Sequence, residues 1–156
     1  MTKIHLIRHA KAKNRAEWSE QDEARPLTKR GRREALALAE RLADGNLGRL
    51  VSSPYVRCLQ TLEPLALTID LPIETTELLA EGTGGQDVVA LLLSLAGDLP
   101  IACCTHGDVV HEVVGSLADA GVVLDGPREA PVASTWVLDV EAGRISGARF
   151  VEPPPR

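Results

Sequence analysis

The sequence predicts an α/β protein: a three-layer α/β/α sandwich around a mostly parallel central sheet. Three observations carry this reading. Short β-type runs alternate with helical periodicity along the chain, no internal repeat interrupts them, and no low-complexity linker divides them. With 156 residues, 44% of them hydrophobic, one core is expected. The single domain is placed over residues 1–151, followed by a Pro-rich tail at residues 152–156.

The elements follow in order. Residues 3 to 8, Lys-Ile-His-Leu-Ile-Arg, read as a strand, and Lys11 to Asp22 lack periodicity and read as loop. Thr28 is a helix N-cap, and Ala35, Leu38, Ala39 and Leu42 mark the apolar face of the helix it opens, which Gly45 closes. Leu50 to Ser53 form a second strand. Ser53 is expected to cap the next helix, which runs from about Pro54, at its first position, to Thr68, with Pro64 as a kink or an early end. Leu71 to Thr75 are a brief extended piece, and Gln86 to Ala96 a well-buried helix. Pro100 to Thr105 form a strand that runs at once into His106-Gly-Asp and a helix through Leu117. Two last strands cover Ser134 to Val140 and Gly143 to Val151.

Composition narrows the function. One Phe, one Tyr and two Trp leave little for a base-stacking platform, and a net charge of −5 disfavours nucleic acid and anionic membranes as partners. The longest apolar run, Val88 to Leu93, is far short of a membrane span, and the N-terminus lacks a signal-peptide core. The three cysteines, Cys58, Cys103 and Cys104, form no CxxC motif. Adjacent strand residues face opposite ways, so Cys103 and Cys104 read as packing residues and a thiol redox function has little support. A reduced, cytoplasmic protein is expected.

Open α/β sheets bind ligands outside the carboxyl ends of their strands. Arg8 and His9 leave the first strand there, Arg57 follows the second within the first turns of its helix, and His106 follows the strand ending at Thr105. Glu81 lies in the loop before the third helix, with Glu77 as a nearby competitor. A histidine at a strand end is more often structural than reactive, and Arg57 alone reads as a capping or salt-bridging residue. The clustering of all five on one sheet edge is what points to a site.

Leu6-Ile-Arg8-His9-Ala10, Arg25-Pro-Leu-Thr-Lys-Arg-Gly, Ser52-Ser53-Pro-Tyr-Val-Arg57-Cys-Leu-Gln-Thr and Cys104-Thr-His106-Gly resemble, in order, the motifs of the histidine phosphatase (phosphoglycerate-mutase-like) superfamily. The likeness is to its short branch, which includes phosphohistidine phosphatases of the SixA type, and to the phosphatase domain that some bacterial Nudix hydrolases carry. It covers roughly residues 3 to 120.

The resemblance implies a phosphatase in which His9 is the phosphorylated nucleophile, Arg8, Arg57 and His106 form the phosphate pocket, and Glu81 is the general acid and base. Asn14 and Lys11 are further candidates for phosphate contact. Only 24 residues separate Glu81 from His106, too few for the long lid of the mutases.

The chemistry suits these residues. A neutral imidazole attacks a phosphate dianion without repulsion. Arginine forks bind phosphoryl oxygens in pairs, and the helix after His106 points free N–H groups at the same anion. No cofactor is expected. Nor is a metal: His5 and His9 lie on or near a strand, while His106 and His111, five apart on a helix, have separated faces.

The expected partner is a phosphorylated small molecule, a nucleotide or a phosphoprotein. Lys11, Lys13, Arg15, Lys29, Arg30, Arg32 and Arg33 either rim the pocket or form a solvated face. The alternative function is a phosphate- or phosphoprotein-binding module of the same fold without turnover.

Overall fold

The computed structural model describes residues 1–155. Seven strands form one sheet: β1 (Thr2–Arg8), β2 (Arg49–Ser52), β3 (Ile73–Thr75), β4 (Ile101–Thr105), β5 (Leu124–Asp125), β6 (Thr135–Glu141) and β7 (Arg144–Val151). Their order is β3-β2-β4-β1-β6-β7-β5. The pairs from β3 to β1 are parallel, as is β5 with β7, while β6 runs antiparallel to both β1 and β7. The mostly parallel sheet expected from the alternating pattern is present.

Four helices cover it: α1 (Lys29–Leu42), α2 (Val56–Ile69), α3 (Gly85–Leu95) and α4 (Gly107–Asp119). On one face Leu38, Ala39, Leu62 and Leu65 from α1 and α2 pack on Ile7, Leu50, Ala102 and Cys104. On the other, Val88, Leu92, Val109 and Val113 from α3 and α4 pack on Ile4, Leu6, Val51, Cys103 and Trp136. Neighbouring Cys103 and Cys104 thus serve opposite cores, as strand alternation requires. With so few aromatics, both cores are aliphatic. Trp136, fully buried and edge-on to the partly buried Phe150, is the exception, and its indole N–H is satisfied by the Glu129 carbonyl at 2.9 Å.

Thr28 caps α1 as expected, its hydroxyl accepting from the Gly31 N–H at 3.0 Å. Two local expectations change. The N-cap of α2 is Tyr55, without a side-chain cap bond, because the Ser53 hydroxyl turns inward to His106. Pro64 sits inside α2 without ending it early: the helix reaches Ile69, close to the expected Thr68, held by the apolar contacts of Leu62 and Leu65 on either side. The loop from Lys11 carries two 3-10 turns, Arg15–Glu17 and Asp22–Ala24. The two-residue β5 is too short to leave a periodic signal. Within the expected tail, the Glu152 carbonyl accepts from Arg41 Nη1 at 2.9 Å and Pro154 is buried, while Arg156 lies outside the described residues.

Candidate active site

The parallel register brings the carboxyl ends of β1, β4 and β2 side by side, with Arg8 opposite Thr105 and Ser52 opposite Cys104. Each strand ends by releasing a polar residue at the same edge: Arg8 and His9, His106, and Ser53. A cleft of about 570 Å³ opens there, lined by Arg8, His9, Glu81 and His106 and walled by Lys11, Lys13, Asn14 and Arg15 of the long loop.

His9 is nearly enclosed, at 7% exposure. Its Nδ1 lies 2.8 Å from the Ala10 carbonyl, so Nδ1 carries the proton and donates it, leaving Nε2 with a free lone pair. Burial is the main influence on its basicity and holds the imidazole down at about 3. The Ala10 bond pulls the other way, and His106, Arg57 and Arg8 add to the lowering. The ring is therefore neutral near pH 7.

Arg8 is fixed through Nη1, which donates to the Ala130 carbonyl at 2.6 Å. Its guanidinium lies against Gly107, the first residue of α4; a Cβ there would stand 2.9 Å from Arg8 Cζ. Gly107 thus lets the arginine meet the helix N-terminus, where free N–H groups and the positive dipole end face the cleft.

Arg57 is fully buried and does not face the cleft directly. Its Nη1 donates to the Asp22 carbonyl at 2.8 Å, and Nη2 donates to Asp22 Oδ2 at 3.0 Å and to Glu81 Oε1 at 2.5 Å. Glu81 therefore stands between Arg57 and His106, whose Nδ1 is 3.4 Å from the same oxygen. Asp108 supports this loop by accepting the Gly82 N–H at 2.9 Å. Glu77 is exposed on the 3-10 turn Glu77–Leu79 and is absent from the cleft wall.

Asn14 lines the cleft while its side-chain oxygen caps the turn after it, accepting the Ala16 N–H at 3.1 Å. Lys11, Lys13 and Arg15 face the cleft, as does Arg25. Arg30 and Arg32, by contrast, belong to the outer side of α1, Arg30 paired with Glu34 at 3.6 Å and Arg32 beside the groove between α1 and α2. The basic cluster of the first quarter is therefore divided between rim and solvated face.

Sequence reasoning missed Asp22, Arg25 and the inward role of Ser53. Asp22 lies in an aperiodic stretch, and Arg25 stands in the sequence only as the first residue of a motif. A loop carboxylate gains meaning only when the fold sets it beside a buried arginine. Among the described residues, three buried side-chain nitrogens of this site have no hydrogen-bond partner: Arg8 Nε, Arg57 Nε and His106 Nδ1. Such groups are costly unless something completes them.

The model of the histidine phosphatase superfamily (branch 1) matches residues 4–87. A relative from Mycolicibacterium smegmatis (strain ATCC 700084 / mc(2)155), an 8-oxo-(d)GTP phosphatase, is 34% identical over 156 residues, which are 97% of this chain and 48% of that protein. The chain thus spans about half the length of that curated relative. Among solved structures, the protein histidine phosphatase SixA complexed with tungstate superposes with a TM-score of 0.75 at 22% identity, covering 96% of this chain and 94% of that one. Bacillus stearothermophilus YhfR gives a TM-score of 0.74 at 20% identity, covering 93% and 94%. A phosphoserine phosphatase mutant from Entamoeba histolytica, in complex with phosphoserine, gives 0.72 at 17% identity, covering 99% and 97%. At these identities the structural matches establish the fold.

Proposed function

Because the chain belongs to the histidine phosphatase superfamily, we propose that it is a metal-independent phosphatase that hydrolyses a phosphate monoester or phosphohistidine through phospho-His9. The observation that carries this reading is the pair of buried, unpartnered nitrogens, Arg8 Nε and His106 Nδ1, on residues that line one cleft with His9. A bound phosphoryl group offers the oxygens that satisfy such donors, with charge-assisted bonds that strengthen as charge spreads over the equatorial oxygens.

In the first step His9 Nε2 attacks phosphorus, forming the N–P bond as the P–O bond to the leaving group breaks. Glu81, protonated for this step, gives its proton to the departing oxygen. The carboxylate so formed then takes a proton from water as the water oxygen attacks phosphorus, the N–P bond breaks, and phosphate leaves. Arg57 joins when the phosphoryl oxygens replace the Glu81 carboxylate on Nη2. The cations act as fixed electrostatic stabilisers, the role a metal plays elsewhere. Among the described residues no three His, Cys, Asp or Glu side chains form a ligand cluster.

Of the relatives named above, one is an 8-oxo-(d)GTP phosphatase, one a protein histidine phosphatase and one a phosphoserine phosphatase, and removal of a phosphoryl group is what these names share. Lys11, Lys13 and Arg15 on the rim support a substrate with charge beyond the transferred phosphoryl. The test is phosphate release from an aryl phosphate in the presence of chelator. His9→Ala is expected to abolish it, and rapid quenching to trap an acid-labile, alkali-stable phosphoenzyme on His9. Full activity in His9→Ala rejects the mechanism. Tight phosphate binding without turnover of any ester, nucleotide or phosphohistidine supports the binding-module alternative.

A further inference from the structure

We propose that Ser53 is a positioning residue that fixes which nitrogen of His106 meets the phosphoryl group, and that this nitrogen is Nδ1. The inference rests on the reading of the cleft as a phosphoryl site. Ser53 is fully buried, and its backbone N–H is tied to the Cys104 carbonyl at 3.0 Å, which sets it beside the strand that delivers His106. Its hydroxyl oxygen accepts the Tyr55 N–H at 3.3 Å and lies 2.8 Å from His106 Nε2.

A hydroxyl has one proton and two lone pairs. With one lone pair given to Tyr55, Ser53 keeps a proton and a lone pair for Nε2. It donates to a bare Nε2 or accepts from a protonated one, by rotation of a single torsion.

The other nitrogen fixes the direction. Nδ1 is buried, has no hydrogen-bond partner and stands 3.4 Å from Glu81 Oε1. A lone pair at Nδ1 would face the carboxylate and the phosphoryl oxygens in repulsion; a proton there attracts both. In the neutral ring, a proton on Nδ1 requires a donor for Nε2, and Ser53 supplies it. In the imidazolium, Nε2–H requires an acceptor, and the same hydroxyl supplies that. His106 thus presents Nδ1–H to the cleft in either charge state without moving.

Edge contacts from Tyr55 and His9, with ring centroids at 4.6 and 5.5 Å, hold the ring plane. Cys58 Sγ is also near Nε2, at 3.6 Å, but a thiol is the weaker and longer partner.

The experiment is ¹⁵N NMR of histidine-labelled protein, with the His106 signals assigned by their loss in His106→Asn, combined with steady-state kinetics. Neutral His106 is expected as the Nδ1–H tautomer in the wild type and in Cys58→Ala. Ser53→Ala is expected to shift it toward Nε2–H and lower kcat/KM about tenfold or more, and Ser53→Thr to restore both.

His106→Asn, whose amide nitrogen falls where Nδ1 was, is expected to retain at least about tenfold more activity than His106→Gln, whose amide reaches the Nε2 position. This comparison decides the matter if Ser53→Ala does not fold. A wild-type ring protonated on Nε2, an unchanged tautomer in Ser53→Ala, or His106→Gln at least as active as His106→Asn overturns the proposal. A protein that turns over no ester rejects the catalytic reading instead, and the tautomer is read without turnover.

Discussion

Arg57 and Asp22, 35 residues apart in sequence, are joined twice: Nη1 to the Asp22 carbonyl at 2.8 Å and Nη2 to its carboxylate at 3.0 Å. Asp22 also accepts from Arg25 Nε at 2.9 Å, so one loop carboxylate ties the long loop to the buried arginine of α2. Burial pushes the Asp22 carboxyl up, but the bonds from Arg25 and Arg57 outweigh it and leave it lowered. Asp22→Ala is expected to cost about 1.5–3 kcal/mol in urea unfolding, the range for a lost hydrogen bond to a charged group. It is also expected to lower kcat/KM roughly tenfold by loosening Arg57. Unchanged stability and kinetics would show that Glu81 alone holds the arginine.

The depressed basicity of His9 has a consequence for stability. Its ring is held at about 3 in the folded state, against an ordinary 6.5. Between these values the unfolded chain binds the proton and the folded one does not. The contribution is therefore fully present above pH 6.5 and lost as pH falls toward 3, with a slope approaching ~1.4 kcal/mol per pH unit. Denaturant melts from pH 7 to 4 should show a shallower decline in His9→Gln than in the wild type.

Glu81→Gln removes the proton donor and the base while keeping the shape. Hydrolysis of an alkyl phosphate is expected to fall by about 10²–10⁴-fold. With an activated aryl phosphate the first step needs little acid help, so the defect moves to the second. A stopped-flow burst of up to one equivalent of phenolate per enzyme is expected, followed by slow turnover. A proportional loss for both esters, with no burst, would place the acid–base function on another group.

Gly107→Ala places a methyl 2.9 Å from the Arg8 guanidinium. Alanine suits the first turn of a helix, so the melting temperature should change little. Arg8 must shift, and KM for phosphate esters is expected to rise several-fold. Measuring both quantities separates the site effect from a folding effect.

Gly31→Ala meets backbone instead. A Cβ at Gly31 would fall 2.0 Å from the Lys11 carbonyl oxygen, so the loop that walls the cleft must move. Forced displacement of packed structure costs about 1–3 kcal/mol. Thermal unfolding should report that loss, together with reduced activity. A variant as stable as the wild type would show that the loop relaxes freely.

Much of this molecule was legible in the sequence because its signals are local. Four helices and six of seven strands follow from periodicity, the Thr28 cap and the runs that end at Arg8, Ser52 and Thr105. Strand alternation sent Cys103 and Cys104 to opposite cores. The Nδ1 bond of His9 falls on the very next residue. Resemblance, not spacing, favours Glu81 in the sequence, with Glu77 left as its competitor; in the fold Glu81 lines the cleft and Glu77 does not.

What sequence alone determined were the element types, the sheet class and the polar residues at strand ends, since these depend on neighbours along the chain. Tertiary structure alone decided the partners. It turned Ser53 from a helix cap toward His106, buried Arg57 behind Asp22 and Glu81, and sent Lys11, Lys13 and Arg15 to the cleft but Arg30 and Arg32 to the outside of α1. The reason is physical. A hydroxyl, a guanidinium or a carboxylate bonds whatever polar group the folded backbone brings within about 3 Å, and pairs 24, 35 or 53 residues apart leave no periodic trace in the sequence.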